Sequence, residues 1–228
     1  MRRCSNLLAT AMMFALVTSL MAQPPGRRAR GGEPSGFEKP PTVKTDAEQR
    51  ILDTLKEMRQ GERFRNVSPR DGRLLRLLAE TANAQRVVEI GTSTGESALW
   101  LSLALQATGG ELFTHEIDPG RADIARKNFE KAGVADIITV IEGNAHETIS
   151  RYEKPIDILF LDADKEGYID YLNRLMPLIR PGGLIIAHNM NRRMADPRYV
   201  KAITEDEALE TLILLQSGTG VGVTLKKR

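Results

Sequence analysis

Residues 86–97 read RVVEIGTSTGES: a short apolar run, a turn with Gly91 and Gly95, and the opening of a helix at Glu96. The two glycines let the backbone turn tightly and approach a ligand, and the first turn of the helix leaves N–H groups unbonded. Downstream the pattern repeats. ELFTHEI leads to a helix from Pro119, IITVI to a short helix near Ala145, IDILFLD to a helix from Tyr168, and GLIIAH ends at His188. Five β/α units in succession predict a parallel sheet with helices on both faces. Right-handed crossovers then bring all five strand C-termini to one edge. Past Asp196 the order changes to a helix from Tyr199 to about Glu207, then LETLILLQ, SGTG and VGVTLKK. Two strands joined by a glycine-containing turn make an antiparallel hairpin.

Upstream of Arg86 two helices are expected. Thr45 with Glu48 forms a capping box before a helix whose face carries Ile51, Leu55 and Met58. A second helix starts after Ser68-Pro69, with Leu74, Leu75, Leu77 and Leu78 inward.

The first residues have a different character. Arg2 and Arg3 precede an apolar run from Leu7 to Met21, and Ala22-Gln23 opens a Pro/Gly/Arg segment. This is the three-part pattern of a secretory signal peptide, so residues 1–22 predict export to the periplasm or the exterior. The run is shorter than the roughly 18–20 residues of a spanning helix, and no stable membrane insertion is expected after cleavage. The alternatives are an uncleaved anchor, or a later start at Met12, Met13 or Met21 that leaves the chain in the cytoplasm. Cys4, the only cysteine, falls inside this leader, so a mature chain would form no disulfide. Residues 23–43 read as a disordered linker. One domain follows over 44–228.

Composition narrows the partners. The 228 residues hold 41% hydrophobic content, enough for one sizeable core. Basic residues number 32 against 30 acidic, and aromatics are 5%, so neither the field nor the stacking surface of a nucleic-acid binder is present.

Open α/β sheets bind ligands beyond the carboxyl ends of their strands. Glu89, Glu116, Asp162 and His188 all stand at such ends. Glu116, 27 residues after Glu89, is placed to accept both hydroxyls of a ribose. The turn is not G-x-G-x-x-G: its second glycine position is Ser93, which disfavours a pyrophosphate and hence a nicotinamide dinucleotide. An adenosyl ligand without phosphates fits better, with Glu89 near a cationic amino or sulfonium group. That chemistry suggests S-adenosylmethionine (SAM).

Six segments in order, NVSPRDG, VVEIGTSTGESA, THEID, EGNAHETI, FLDADKEGY and LLQSGTGVGVTLKK, resemble the class I methyltransferases of the catechol and caffeoyl-CoA O-methyltransferase group. The resemblance implies a Rossmann-like seven-stranded sheet in the order 3-2-1-4-5-7-6. It places Val67, Gly91, Ser97, Glu116, Ala145 and His146 around the cofactor, and brings Asp162 to the same pocket. It also implies a homodimer through the N-terminal helices, for which Ile51, Leu55 and Met58 form an apolar face. In that family a carboxylate matching Asp162 and an Asp-Asn pair hold a divalent cation on the acceptor's adjacent hydroxyls, and a lysine matching Lys165 removes the proton.

Here the pair reads His188-Asn189. Imidazole suits Zn²⁺, Fe²⁺, Mn²⁺ or Ni²⁺ better than Mg²⁺ or Ca²⁺. Three readings stay open: His188 as ligand of a softer metal with Asp162 and Asn189, as general base in a metal-free site, or as a polar residue without chemistry. The expected activity is methyl transfer to a small catechol- or phenol-like acceptor. Asn66–Arg70, Lys165–Tyr168 and the 191–198 loop form its side of the crevice, and Arg192, Arg193 and Arg198 suit an acidic group. A catalytically silent SAM-binding module and an NAD-dependent oxidoreductase are the rival readings.

Overall fold

A computed structural model describes residues 38–62, 64–215 and 219–228. The leader, most of the linker, Arg63 and residues 216–218 lie outside these, so the signal-peptide reading falls beyond the described residues. Among the described residues no helix is long and apolar enough to cross a membrane.

Seven strands form one sheet: β1 (Arg86–Ile90), β2 (Glu111–Glu116), β3 (Ile138–Glu142), β4 (Ile156–Leu161), β5 (Ile179–His188), β6 (Leu209–Leu214) and β7 (Val221–Lys226). Their order is β3-β2-β1-β4-β5-β7-β6. The first five are parallel, and β7 runs antiparallel to both β5 and β6. This is the expected architecture. The helices are α1 (Asp46–Met58), α2 (Pro69–Thr81), α3 (Glu96–Thr108), α4 (Pro119–Ala132), α5 (Ala145–Thr148), α6 (Tyr168–Leu175) and α7 (Pro197–Glu205). Helix α7 begins earlier than its sequence pattern suggested, because Asp196 accepts a hydrogen bond from Arg198 N and Pro197 suits the first helical position.

Two apolar layers sandwich the sheet. On one face Ile51, Leu55, Leu75, Trp100 and Phe129 pack from α1 to α4. On the other Tyr168, Tyr171, Leu172 and Tyr199 pack from α6 and α7. Each fully buried side chain of this kind contributes about 1.5–3 kcal/mol of transfer free energy.

Three expectations need correction. Leu77 is 62% exposed, because four leucines within five positions span more than one face of a 3.6-residue helix. Leu75 takes the inward position, with Leu74 and Leu78 on its flanks. Ile51 and Leu55 are buried in the chain's own core and Met58 packs against it, so the face expected to mediate dimerisation is already covered. Finally, Thr45 caps Glu48 N as a capping box requires, but Glu48 returns its carboxylate to Lys44 N at 2.7 Å, one residue early.

Candidate functional site

A cleft of about 1270 Å³ lies beyond the C-terminal ends of the parallel strands. Val67 and Ser68, just ahead of and at the start of α2, form part of its wall, and the turn after β1 contributes Gly91 and Ser93. Gly91 has φ +103°, and a Cβ there would stand 2.5 Å from the Asp162 carbonyl oxygen. Only glycine lets this turn run so close to the end of β4.

Glu116 closes β2 with its carboxylate at the cleft. One oxygen accepts Ser93 N at 2.7 Å and the other Asp118 N at 3.0 Å. Beside it Ile117 is 69% exposed on the cleft rim. An exposed isoleucine there offers a flat ligand an apolar contact. Sequence reading passed over it as the end of a strand.

Ala145 and His146 also line the cleft. The helix cap is Asn144, which accepts His146 N. The His146 ring stacks on Tyr171, with centroids 4.4 Å apart, and its Nδ1 lies 2.7 Å from Asp170 Oδ2. The Asp170 hydrogen bond raises its pKa, against a smaller opposing effect of burial. Asp164 caps nothing with its side chain and instead accepts the Tyr171 hydroxyl at 2.7 Å.

Glu89 and Gly95 stand behind the cleft wall. Gly95 turns against the ring of Phe129. Glu89 is fully buried and accepts the hydroxyls of Ser97 and Thr114. Burial pushes its carboxyl up to about 7, against the pull of those two hydrogen bonds. Glu89 therefore orients Ser97, which lines the cleft, and does not itself line it.

The other half of the cleft gathers charge. Lys165 Nζ donates to Asp162 Oδ1 at 3.1 Å, to the Ala163 carbonyl at 2.8 Å and to Tyr168 Oη at 2.7 Å. Burial lowers the lysine pKa, while the Asp162 carboxylate opposes the shift. His188, at the end of β5, is 7% exposed. Its Nε2 lies 3.3 Å from Asp71 Oδ2, and its Nδ1 lies 3.2 Å from Asp162 Oδ2. The second is an ion-pair contact without an aligned hydrogen bond. Burial alone would lower the imidazole pKa, but the flanking carboxylates of Asp162 and Asp71 outweigh it and raise the value to about 9. At neutral pH this ring is a cation. Asp71 was not singled out in the sequence, where it reads as an ordinary acid in the first turn of α2. It reaches the site because Gly72 lets α2 settle directly on the Trp100 ring.

The acceptor side is only partly as expected. Arg198 is committed to Asp196 at 2.6 Å, whereas Arg192 and Arg193 are exposed on the adjoining loop.

A family model described as O-methyltransferase matches residues 43–221. The chain belongs to the O-methyltransferase family. It is 37% identical over 131 residues to a catechol O-methyltransferase of Niastella koreensis, covering 56% of this chain and 59% of that one. It is 39% identical over 127 residues to a catechol O-methyltransferase of Mycobacterium tuberculosis, covering 55% and 57%. In both cases the match spans less than two thirds of the relative's length. Among solved structures, an O-methyltransferase from Bacillus cereus in complex with SAH superposes with a TM-score of 0.65 at 28% identity, over 81% of this chain and 92% of that one.

The divalent cation that the resemblance brings to this family's site does not suit the residues of this member. Asp162 already faces Lys165 with one oxygen and His188 with the other. The two carboxylates near His188 lie on opposite nitrogens of its ring, which stands between them as a wedge. Asn189, held at φ 61°, gives its amide N–H to Thr219 Oγ1 at 2.5 Å. Among the described residues no group of three His, Cys, Asp or Glu side chains is gathered as a metal site. Asp162 and His188 thus form a charge cluster with Lys165 and Asp71, while Asn189 turns to Thr219.

Proposed function

We propose that this chain transfers the methyl group of SAM to a hydroxyl oxygen of a small catechol- or phenol-like acceptor. What carries the reading is the pairing of Glu116 with Lys165 across one cleft: a carboxylate suited to a ribose at the tip of β2, and a half-buried amine of lowered pKa just beyond the tip of β4. Glu116 has the lone pairs for two ribose hydroxyls once it exchanges its contacts with Ser93 N and Asp118 N. Ile117 and Ala145 offer apolar surface to the base, and Ser97 is held at the methionine side by Glu89.

The reaction then balances simply. Lys165 takes the acceptor's hydroxyl proton, and the oxygen attacks the sulfonium methyl carbon in line. The carbon–sulfur bond breaks, and its electron pair leaves on sulfur as SAH. Alignment supplies most of the acceleration, and a positioned base contributes about 10²–10⁴-fold. The relative crystallised with SAH supports the cofactor, and the catechol O-methyltransferase relatives support the acceptor class.

Calorimetry against SAM and NAD, followed by transfer of labelled methyl to a panel of phenols and catechols, tests this. Binding of NAD in preference to SAM refutes it. SAM binding without transfer to any acceptor reassigns the chain as a silent SAM-binding module. The leader pattern of residues 1–22 supports export of the same chain, which N-terminal sequencing of the mature protein from fractionated cells would check.

A further inference from the structure

Charge on the cleft wall is almost fully paired within the chain. Glu116 faces Arg121, His146 faces Asp164, and Lys165 and His188 share Asp162, with Asp71 on the other side of the imidazole, all within 4.0 Å. Arg65 is the exception. It lines the same cleft and is exposed, and among the described residues its guanidinium makes no ion pair or hydrogen bond.

The stretch that carries Arg65 is pinned from its next residue onward. Asn66 donates from Nδ2 to Thr94 Oγ1 at 2.8 Å, Val67 is buried, and Ser68 caps α2 by accepting Asp71 N. Phe64, before Arg65, is half-buried and also lines the cleft. An aromatic ring and an unpaired cation thus adjoin on one fixed piece of wall. The loop arginines expected to hold an acidic group are less well placed. Arg198 is held by Asp196, and neither Arg192 nor Arg193 lines the cleft.

A planar guanidinium matches a carboxylate in bidentate fashion. SAM carries a sulfonium and an ammonium against a single carboxylate, so its binding adds net positive charge beside Arg65. The charge that complements the loaded cleft is therefore negative and belongs to the second substrate. Resting on the methyl-transfer reading, we propose that Arg65 receives a carboxylate borne by the acceptor, so that the preferred substrate is a hydroxylated aromatic acid with its hydroxyl at Lys165 and its ring against Phe64.

The test sets each acid against its own uncharged methyl ester. The full-length chain with SAM is given a dihydroxybenzoate and a dihydroxyphenylpropionate, which differ in arm length, together with their esters. The better acid should exceed its ester in kcat/KM by about fivefold or more, as expected of a well-aligned charged pair open to solvent. Arg65→Gln should bring acid and ester level, mainly through a higher KM for the acid. Arg65→Lys should keep part of the preference, because a point charge replaces the planar fork. Arg65 is exposed, so neither substitution removes a core contact. A wild type that uses both esters as well as the acids overturns the proposal. A tenfold loss of SAM affinity in Arg65→Gln, read by calorimetry with the acid preference intact, also overturns it, since the guanidinium would then hold the cofactor's own carboxylate.

A binding arm separates failure of this site from failure of the methyl-transfer reading. Titrated into protein loaded with SAH, the better acid should bind the wild type and bind Arg65→Gln at least about fivefold more weakly. If that difference appears while no acceptor is methylated, the carboxylate site stands and the transferase reading falls. Equal binding to both proteins, or binding to neither, refutes the site whatever the activity.

Discussion

Gly91 and Asp162 approach so closely that a methyl group added to Gly91 would lie 2.5 Å from the Asp162 carbonyl oxygen. The glycine turn after β1 and the end of β4 are thus one packed unit, and the two halves of the cleft share a backbone contact. Gly91→Ala meets both a left-handed φ of +103° and a clash with backbone, which cannot swing aside as a side chain can. A loss of about 2–4 kcal/mol in stability is expected, read as a lower urea midpoint, together with weakened SAM binding. An alanine variant as stable as the parent would mean the turn is not held as described.

Lys165 should behave as a base whose efficiency depends on losing its proton. Burial lowers its pKa from the ordinary 10.5, so the neutral fraction grows as pH rises toward a value below that figure. The rate constant kcat/KM should climb with pH on its acid side. Lys165→Ala should reduce turnover by about 10²–10⁴-fold and flatten that limb, with SAM affinity nearly unchanged. A variant that keeps the slope would assign the rising limb to another group.

Much of this was legible before the fold was known. The alternation of short apolar runs with helical stretches sets the parallel sheet, and strand ends place Glu116, Asp162 and His188 on one edge. Periodicity gives the face of an element but not its lateral neighbours. Asp71 and His188 lie 117 positions apart, and what joins them is the seating of α2 on Trp100 through Gly72, which no local pattern encodes. Glu89 was misplaced for a related reason. Its position at the strand's end is correct, but alternation aims it at the layer beneath Ser97 instead of into the cleft. Leu77 shows the same limit in a helix, where a run of leucines does not say which of them faces in.

Glu116 provides the test of the cofactor half. Its oxygens accept Ser93 N and Asp118 N, contacts that two ribose hydroxyls would take over. Hydrogen bonds to a charged group contribute about 1.5–3 kcal/mol. Glu116→Ala should therefore weaken SAM binding by roughly 10- to 150-fold in calorimetry, with little effect on the turnover of whatever complex forms at saturation. A collapse of turnover at unchanged affinity would place the carboxylate at the reacting atoms instead.

His188 links the site to stability through pH. Its pKa rises from 6.5 to about 9 on folding, because Asp162 and Asp71 overcome the effect of burial. The folded state holds the proton more tightly than the unfolded chain does. The contribution is then fully present below pH 6.5 and fades as pH rises through about 9. A shift of this size corresponds to about 1–3 kcal/mol, since part of it is shared with the two carboxylates. Urea melts of wild type and His188→Gln should differ most near pH 6 and converge above about pH 9. A gap that stays constant across that range would mean the ring is neutral in the folded protein, and the cation facing Asp162 would have to be Lys165 alone.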